Sequence, residues 1–257
     1  MAQPPSIPSN ILITGASSGI GEALARDYAQ KGRYLALSGR NEDRLEAVAK
    51  ACRSFGAEVD AKPVDVTDRA ACGRWIAEVD ASHPLDLVIA NAGTSSGSGG
   101  RGESEEQARD IFSVNMAGVL NTIWPAIGPM RERGRGQIAI VSSVSAFRGL
   151  PGAPAYAASK AAVKNYGEGL RGWLATDGVK VSVVCPGFVR TRITENNIYP
   201  MPFIMDADKA AHIIRRGLER DKARIAFPWP LYALVWFISS LPPSWTDWLF
   251  RKLPKKD

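Results

Sequence analysis

Cysteine and histidine are scarce in this sequence, and the few present do not cluster. The three cysteines, Cys52, Cys72 and Cys185, are odd in number and widely spaced, with no Cys-x-x-Cys pair. That argues against a disulfide framework and fits buried free thiols in a reducing compartment. The two histidines, His83 and His212, stand in no metal-ligand spacing. No metal site is expected, and both read as surface or helix-end residues. The apolar run Ala226–Leu241 has only sixteen residues and contains Pro228 and Pro230, too short for a transmembrane span. A linker is lacking too. The Ser/Gly cluster from Thr94 to Gly102 comes closest, but it is short and lies between strongly patterned segments. Residues 1–10 have neither an apolar core nor a basic start, so they do not read as a secretory signal. Net charge is +6, with much of the excess in Arg251, Lys252, Lys255 and Lys256. No nucleic-acid motif accompanies it. A single cytoplasmic domain over 1–257 is expected, with no nucleic-acid partner.

What is present is hydrophobic material in a regular order. The chain has 257 residues, 45% of them hydrophobic, enough to bury a substantial core. Short β-rich runs (11–14, 34–38, 58–64, 85–91, 137–143, 180–185 and, late, 224–227) alternate with helical patterns (19–31, 42–55, 69–81, 103–133, 155–176 and 207–220). Near-continuous apolar strands are typical of a parallel sheet covered on both faces. Alternation of strand and helix implies βαβ crossovers. The expected fold is an α/β, doubly wound, Rossmann-type sheet with ligands at the carboxyl ends of its strands.

The first strand runs into Thr14-Gly15-Ala16-Ser17-Ser18-Gly19-Ile20-Gly21, and a helix follows at once. The spacing is Gly-x-x-x-Gly-x-Gly. One glycine permits the tight turn, another lets backbone approach a pyrophosphate, and another lets the helix pack close to the strand. The N–H groups of the helix N-terminus then face the phosphates. A site for NAD usually carries an acid about 20 residues onward, for the ribose hydroxyls. Here Ser38-Gly39-Arg40 stands at the end of the second strand. Arg40 can fork onto a 2′-phosphate and Ser38 can add a hydroxyl, so NADP is the expected cofactor. The competing reading of Arg40 is a solvated residue ahead of a helix that Asn41 caps.

A second constellation is Tyr156-Ala157-Ala158-Ser159-Lys160, at the start of a long apolar helix. Positions i and i+4 share a face, and an ammonium near a phenol favours the phenolate. Bringing a tyrosine from about 10 to about 7 takes about 4 kcal/mol, of which one cation supplies part. Alone, this spacing is common by chance. It is accompanied by Ser143 at the end of the fifth strand, Asn91-Ala92-Gly93 at the end of the fourth, Asp65-Val66 after the third, and Pro186-Gly187-Phe188-Val189-Arg190-Thr191 after the sixth. Asn115 sits mid-helix, where asparagine is a poor helix former. Each of these candidates is expected at or beside a strand's carboxyl end, the ligand rim.

Together these residues closely resemble the short-chain dehydrogenase/reductase family over about residues 10–192. The resemblance implies seven strands and a tetrad of Asn115, Ser143, Tyr156 and Lys160. In it Ser143 would bind the substrate oxygen and Tyr156 would give or take the proton. Lys160 would hold the nicotinamide ribose and lower the tyrosine pKa, and Asn115 would anchor a water passing protons towards Lys160. It also implies that Gly15, Ser17, Ser18, Gly19, Ile20, Gly21, Asp65, Val66, Asn91, Ala92, Gly93, Pro186, Gly187, Val189 and Thr191 border the cofactor.

Residues 193–220 are expected to hold the substrate lid. Within them, 193–206 carries methionines and aromatics that fit an adaptable apolar pocket or ordinary lid packing. The tail, 227–257, holds four of the seven tryptophans before its basic end. Trp beside Lys and Arg suits an interfacial membrane anchor, while a dimer contact or a cover over the pocket fits the same composition. The expectation is an NADP-dependent oxidoreductase of a small lipophilic carbonyl or alcohol, cytoplasmic or peripheral to a membrane, and homo-oligomeric. An NAD-dependent alcohol dehydrogenase and a catalytically silent NADP-binding scaffold at a membrane are the alternatives.

Overall fold

The computed structural model describes residues 8–95, 103–195 and 201–250. The first residues, most of the Ser/Gly cluster, part of the lid and the basic end therefore lie outside the described residues. In chain order the elements are β1 (Asn10–Thr14), α1 (Gly19–Tyr28), β2 (Tyr34–Ser38), α2 (Glu42–Ser54), β3 (Glu58–Lys62), α3 (Arg69–Ser82), β4 (Leu87–Ala90), α4 (Glu105–Phe112), α5 (Gly118–Glu132), β5 (Gly136–Val141), α6 (Pro154–Leu174), β6 (Val179–Pro186), α7 (Arg192–Glu195), α8 (Ala207–Glu219), β7 (Arg224–Phe227), α9 (Trp229–Ser239) and α10 (Pro243–Phe250).

The strands form one parallel sheet in the order β3-β2-β1-β4-β5-β6-β7. The chain winds outward from β1 to β3, then crosses back to lay β4 on the other side of β1. That reversal creates a crevice at the carboxyl ends of β1 and β4. Alternate residues of one strand feed opposite cores. Ile11 and Ile13 of β1 pack with Leu24 and Ile214 on one face; Leu12 packs with Ile76, Ile123 and Val88 on the other. Both faces are covered, which is why the inner strands read as near-continuous apolar runs, while the edge strand β3 is Glu-Val-Asp-Ala-Lys.

The long helix expected over 103–133 is not continuous. A π-helical segment, Ser113–Ala117, separates α4 from α5 and carries Asn115, completely buried. Such segments occur often at functional sites. The tail also departs from expectation. It forms two short helices parted near Pro242-Pro243, and α9 is apolar on all sides. Only Leu231 of α9 is buried.

All three cysteines are buried and unpaired, and burial raises their thiols, Cys52 and Cys72 to about 11 and Cys185 to about 12. His83 stacks on Tyr34 with ring centroids 3.7 Å apart, and His212 is exposed. Among the described residues no cluster of His, Cys, Asp or Glu could hold a metal ion.

Candidate active site

The carboxyl ends of the central strands enclose a cleft of about 520 Å³. The turn after β1 forms its floor. Gly15 has φ +68°, in the left-handed region, and a Cβ there would lie 2.7 Å from Ala92 Cα. A Cβ on Gly21 would lie 2.3 Å from the Gly15 carbonyl oxygen. The glycines thus let α1 and the β4 loop close on the turn. Thr14, in the same stretch, clamps the two halves. Its hydroxyl accepts from the N–H of Asn91 at 3.2 Å and of Ala92 at 3.3 Å. The Asn91 side-chain amide donates back to the Thr14 and Gly15 carbonyls. Asn91 therefore braces the turn as well as lining the cleft.

Ser143, Tyr156 and Lys160 line the same cleft. The Ser143 hydroxyl accepts from the Ser145 N–H at 3.1 Å and points its proton at the Pro186 carbonyl, 3.5 Å away. The Lys160 ammonium lies 5.9 Å from the centre of the Tyr156 ring and donates to the Val141 carbonyl at 3.0 Å. It is 4% exposed, and burial pulls its pKa from 10.5 down to about 8. The Ser142 hydroxyl donates to the Lys160 carbonyl at 2.7 Å, fixing the backbone beneath that ammonium.

Asn115 does not line the cleft. Its side chain is engaged in three hydrogen bonds: the amide donates to the Thr94 carbonyl and to the Ser159 hydroxyl, both at 3.0 Å, and its oxygen accepts from the Thr94 N–H at 2.8 Å. Ser159 in turn donates to the Tyr156 carbonyl at 2.8 Å. Asn115 thereby ties the loop after β4 to the helix turn that carries Tyr156. Gly21 is also buried outside the lining, as its packing role requires. Ser38 departs from expectation. It is completely buried, its hydroxyl makes no hydrogen bond among the described residues, and it is not part of the cleft wall. Gly39 and Arg40 line that region instead. The other expected residues, Ser17, Ser18, Gly19, Ile20, Asp65, Val66, Ala92, Gly93, Pro186, Gly187, Val189 and Thr191, all face the cleft.

Two residues beyond those expectations matter. Arg44, in the first turn of α2, lines the cleft with Arg40, and its backbone N–H donates to the Asn41 side chain. Its four-residue spacing from Arg40 was a usable signal. Asp65 lines the same cleft, and its carboxyl is held below the usual range by the Thr67 N–H, then by the Thr67 hydroxyl and the Arg40 charge. Glu103 is the second. The N-cap of α6, Ala153, offers no side-chain hydrogen bond, and the Glu103 carboxylate takes that place. It accepts from the Ala155 N–H at 2.6 Å and the Tyr156 N–H at 3.4 Å. A carboxylate is favoured at a helix N-terminus. No local pattern connects residues 52 positions apart.

The residues present fit a nicotinamide dinucleotide. The glycine turn opens backbone onto the cleft at the start of a ten-residue helix. A Cβ on Gly93 would fill the floor of the cleft, 3.2 Å from the Lys160 ammonium. That ammonium has three donors and, among the described residues, uses one on Val141, which leaves two for a ligand's hydroxyls. A doubly wound sheet with this turn, a hydroxyl pair and a buried lysine defines a dinucleotide-binding oxidoreductase. The chain belongs to the short chain dehydrogenase family, whose model matches residues 9–200. It is 37% identical over 243 residues to an uncharacterized oxidoreductase of Myxococcus xanthus, covering 94% of this chain and 96% of that one. It is 35% identical over 248 residues to 11-beta-hydroxysteroid dehydrogenase-like 2 of Arabidopsis thaliana, covering 93% and 75%. A short-chain dehydrogenase from Sphingobium yanoikuyae, solved in complex with NADPH, superposes with a TM-score of 0.79 at 27% identity, covering 96% and 97%.

Proposed function

We propose that this protein is an NADP(H)-dependent oxidoreductase that interconverts a ketone and a secondary alcohol on a lipophilic substrate. The observation that carries the reading is the shared cleft: Ser143, Tyr156 and Lys160 line it together with the glycine turn, and Arg40 and Arg44 line it where an NAD site would hold an acid.

Bound there, the reduced nicotinamide supplies the hydride. The chain's own residues manage the charge and the proton. As negative charge grows on the carbonyl oxygen, the Ser143 and Tyr156 hydroxyls donate to it. The Tyr156 phenol then gives up its proton, and it takes one back in the oxidative direction. Lys160 favours the phenolate by its charge and holds the ribose with its two remaining donors. Asn115, Ser159 and Glu103 position the turn on which Tyr156 sits. Arg40 and Arg44 would hold a 2′-phosphate.

The NADPH complex of the Sphingobium yanoikuyae enzyme and the hydroxysteroid dehydrogenase-like name of the Arabidopsis relative support the cofactor and the substrate class respectively. The buried free thiols support a reducing compartment. Trp124 of α5 and Trp173 of α6 are about half exposed with ring centroids 6.0 Å apart, which supports a contact between copies of the chain on that face.

Fluorescence titration with NADPH and NADH tests the cofactor. NADPH is expected to bind at least about tenfold more tightly, since charge-assisted hydrogen bonds contribute about 1.5–3 kcal/mol each. Arg40→Asp is expected to erase the preference. Equal affinities in the wild type would sink the reading. A panel of apolar ketones and alcohols, followed by nicotinamide absorbance, tests the substrate class. Turnover confined to small hydrophilic sugars would contradict it.

A further inference from the structure

The redox reading leaves the tail unexplained. Twelve large hydrophobic residues are exposed among the described residues, and six fall between positions 229 and 248: Trp229, Leu234, Trp236, Phe237, Trp245 and Trp248. The other six are spread over the rest of the chain, which is ordinary. The cluster is held in place from beneath. Leu231 is buried, and the Tyr232 ring meets Phe147 edge-on at 5.4 Å. The Tyr232 hydroxyl accepts from Arg224 at 3.0 Å. In α10, Thr246 is buried and Asp247 pairs with Arg148 at 2.9 Å. Leu231, Tyr232 and Thr246 are thus turned inward, and the four tryptophans with Leu234 and Phe237 outward.

The charge pattern identifies what covers this face. From Ile225 to Phe250 the sequence holds one charged residue, Asp247, and Arg148 neutralises it. The next seven residues hold four cations, Arg251, Lys252, Lys255 and Lys256. Tryptophan beside lysine and arginine is the composition of a lipid interface, whereas protein–protein interfaces are depleted in lysine. α9, at eleven residues, is far too short to span a bilayer and suits lying along one. The helical stretch from Glu105 to Glu132 is long and apolar enough to span, but its residues Val119, Ile123, Ala126, Ile127 and Met130 are buried in the core.

We propose that α9 and α10 form a docking surface for a bilayer containing anionic phospholipid, with the aromatic residues in the headgroup region; the cations that follow in the sequence match the lipid charge. The proposal stands apart from the redox reading. It also has a consequence for the cleft. Leu231 Cδ2 and Pro228 Cδ approach within 2.8 and 2.9 Å of where a Cβ on Gly187 would lie, and Gly187 lines the cleft. The docking surface therefore begins at the active-site wall.

The test is flotation of the full chain with vesicles of pure phosphatidylcholine and with vesicles of equal parts phosphatidylcholine and phosphatidylglycerol. The protein is expected to float with the anionic vesicles, to be released by salt, and to show its tryptophan emission shifted to the blue and quenched by brominated lipid. Trp236→Ala/Trp245→Ala/Trp248→Ala is expected to lower partitioning by about tenfold or more, and removal of residues 251–257 to remove the preference for anionic lipid. Protein left in the aqueous fraction with both vesicles overturns the proposal. So does vesicle binding with no blue shift and no quenching, a readout that needs no variant. A tryptophan variant that changes oligomeric state while the wild type ignores vesicles would assign the face to a second copy of the chain instead.

Discussion

Lys160 combines a charge with nearly complete burial, and its pKa of about 8 has a consequence that can be measured without substrate. The folded protein releases this proton before the unfolded chain does, so between about pH 8 and 10.5 the unfolded state binds more protons and stability rises with pH. Below pH 8 the cost of the buried charge is fully present, about 3 kcal/mol. Lys160→Met is therefore expected to raise the melting temperature of the ligand-free protein at neutral pH, and the gap to wild type should close towards pH 10.5. A gap constant across that window would contradict the burial argument. Glu103 acts at the same scale. Glu103→Ala removes the acceptor of two N–H groups at the start of α6, a capping loss of about 1 kcal/mol. It is expected to lower kcat with little change in the dissociation constant of NADPH, and Glu103→Gln, which keeps one acceptor, should restore part of the rate. Unchanged kcat in Glu103→Ala would remove its positioning role.

At the scale of elements, the turn between β1 and α1 is the most constrained piece. A methyl on Gly21 meets backbone oxygen and the Asn91 amide, neither of which can swing aside. Gly21→Ala is expected to destabilise by about 1–3 kcal/mol and to weaken cofactor binding, measured by thermal melting and by titration. A variant that melts and binds like wild type would show that the turn has slack. This turn was readable in the sequence because glycine spacing, strand and helix adjoin there. The strand ends were less readable. The alternating run 58–64 reads as one strand, yet β3 stops at Lys62. Val64 and Val66 are buried beyond it and line the cleft, with Val66 packed against α5 beside Gly118. They are apolar for burial, not for pairing. Asn115 was legible as an oddity in a helix. Its π-helical segment was not, because the break is fixed by side-chain bonds to Thr94 and Ser159 across the fold.

On the scale of the whole molecule, one sheet brings together residues from β1 to α7, and the order of strands does most of the arranging. Alternation of strand and helix made that order legible, and with it the rim where the site would lie. Ser38 shows where such reasoning ends. It stands at a strand's carboxyl end, but the pleat points alternate residues to opposite faces, and this one is buried. Long-range fastening was equally hidden. Arg133 grips Asp80 with bonds of 2.7 and 2.9 Å and also donates to the Leu85 carbonyl, tying α5 to the start of β4. Asp80→Ala strands that guanidinium and is expected to cost about 3 kcal/mol in a denaturant melt, a loss that an idle surface pair would not show. Proton transfer by Tyr156 in a nicotinamide-dependent reaction stands or falls with Tyr156→Phe. NADPH titration and single-turnover oxidation of NADPH, with a ketone that the wild type reduces, should be run on the same preparation. The account predicts cofactor affinity close to wild type and a rate lower by about 10²-fold or more. A variant that binds NADPH and keeps a substantial fraction of the wild-type rate would contradict it.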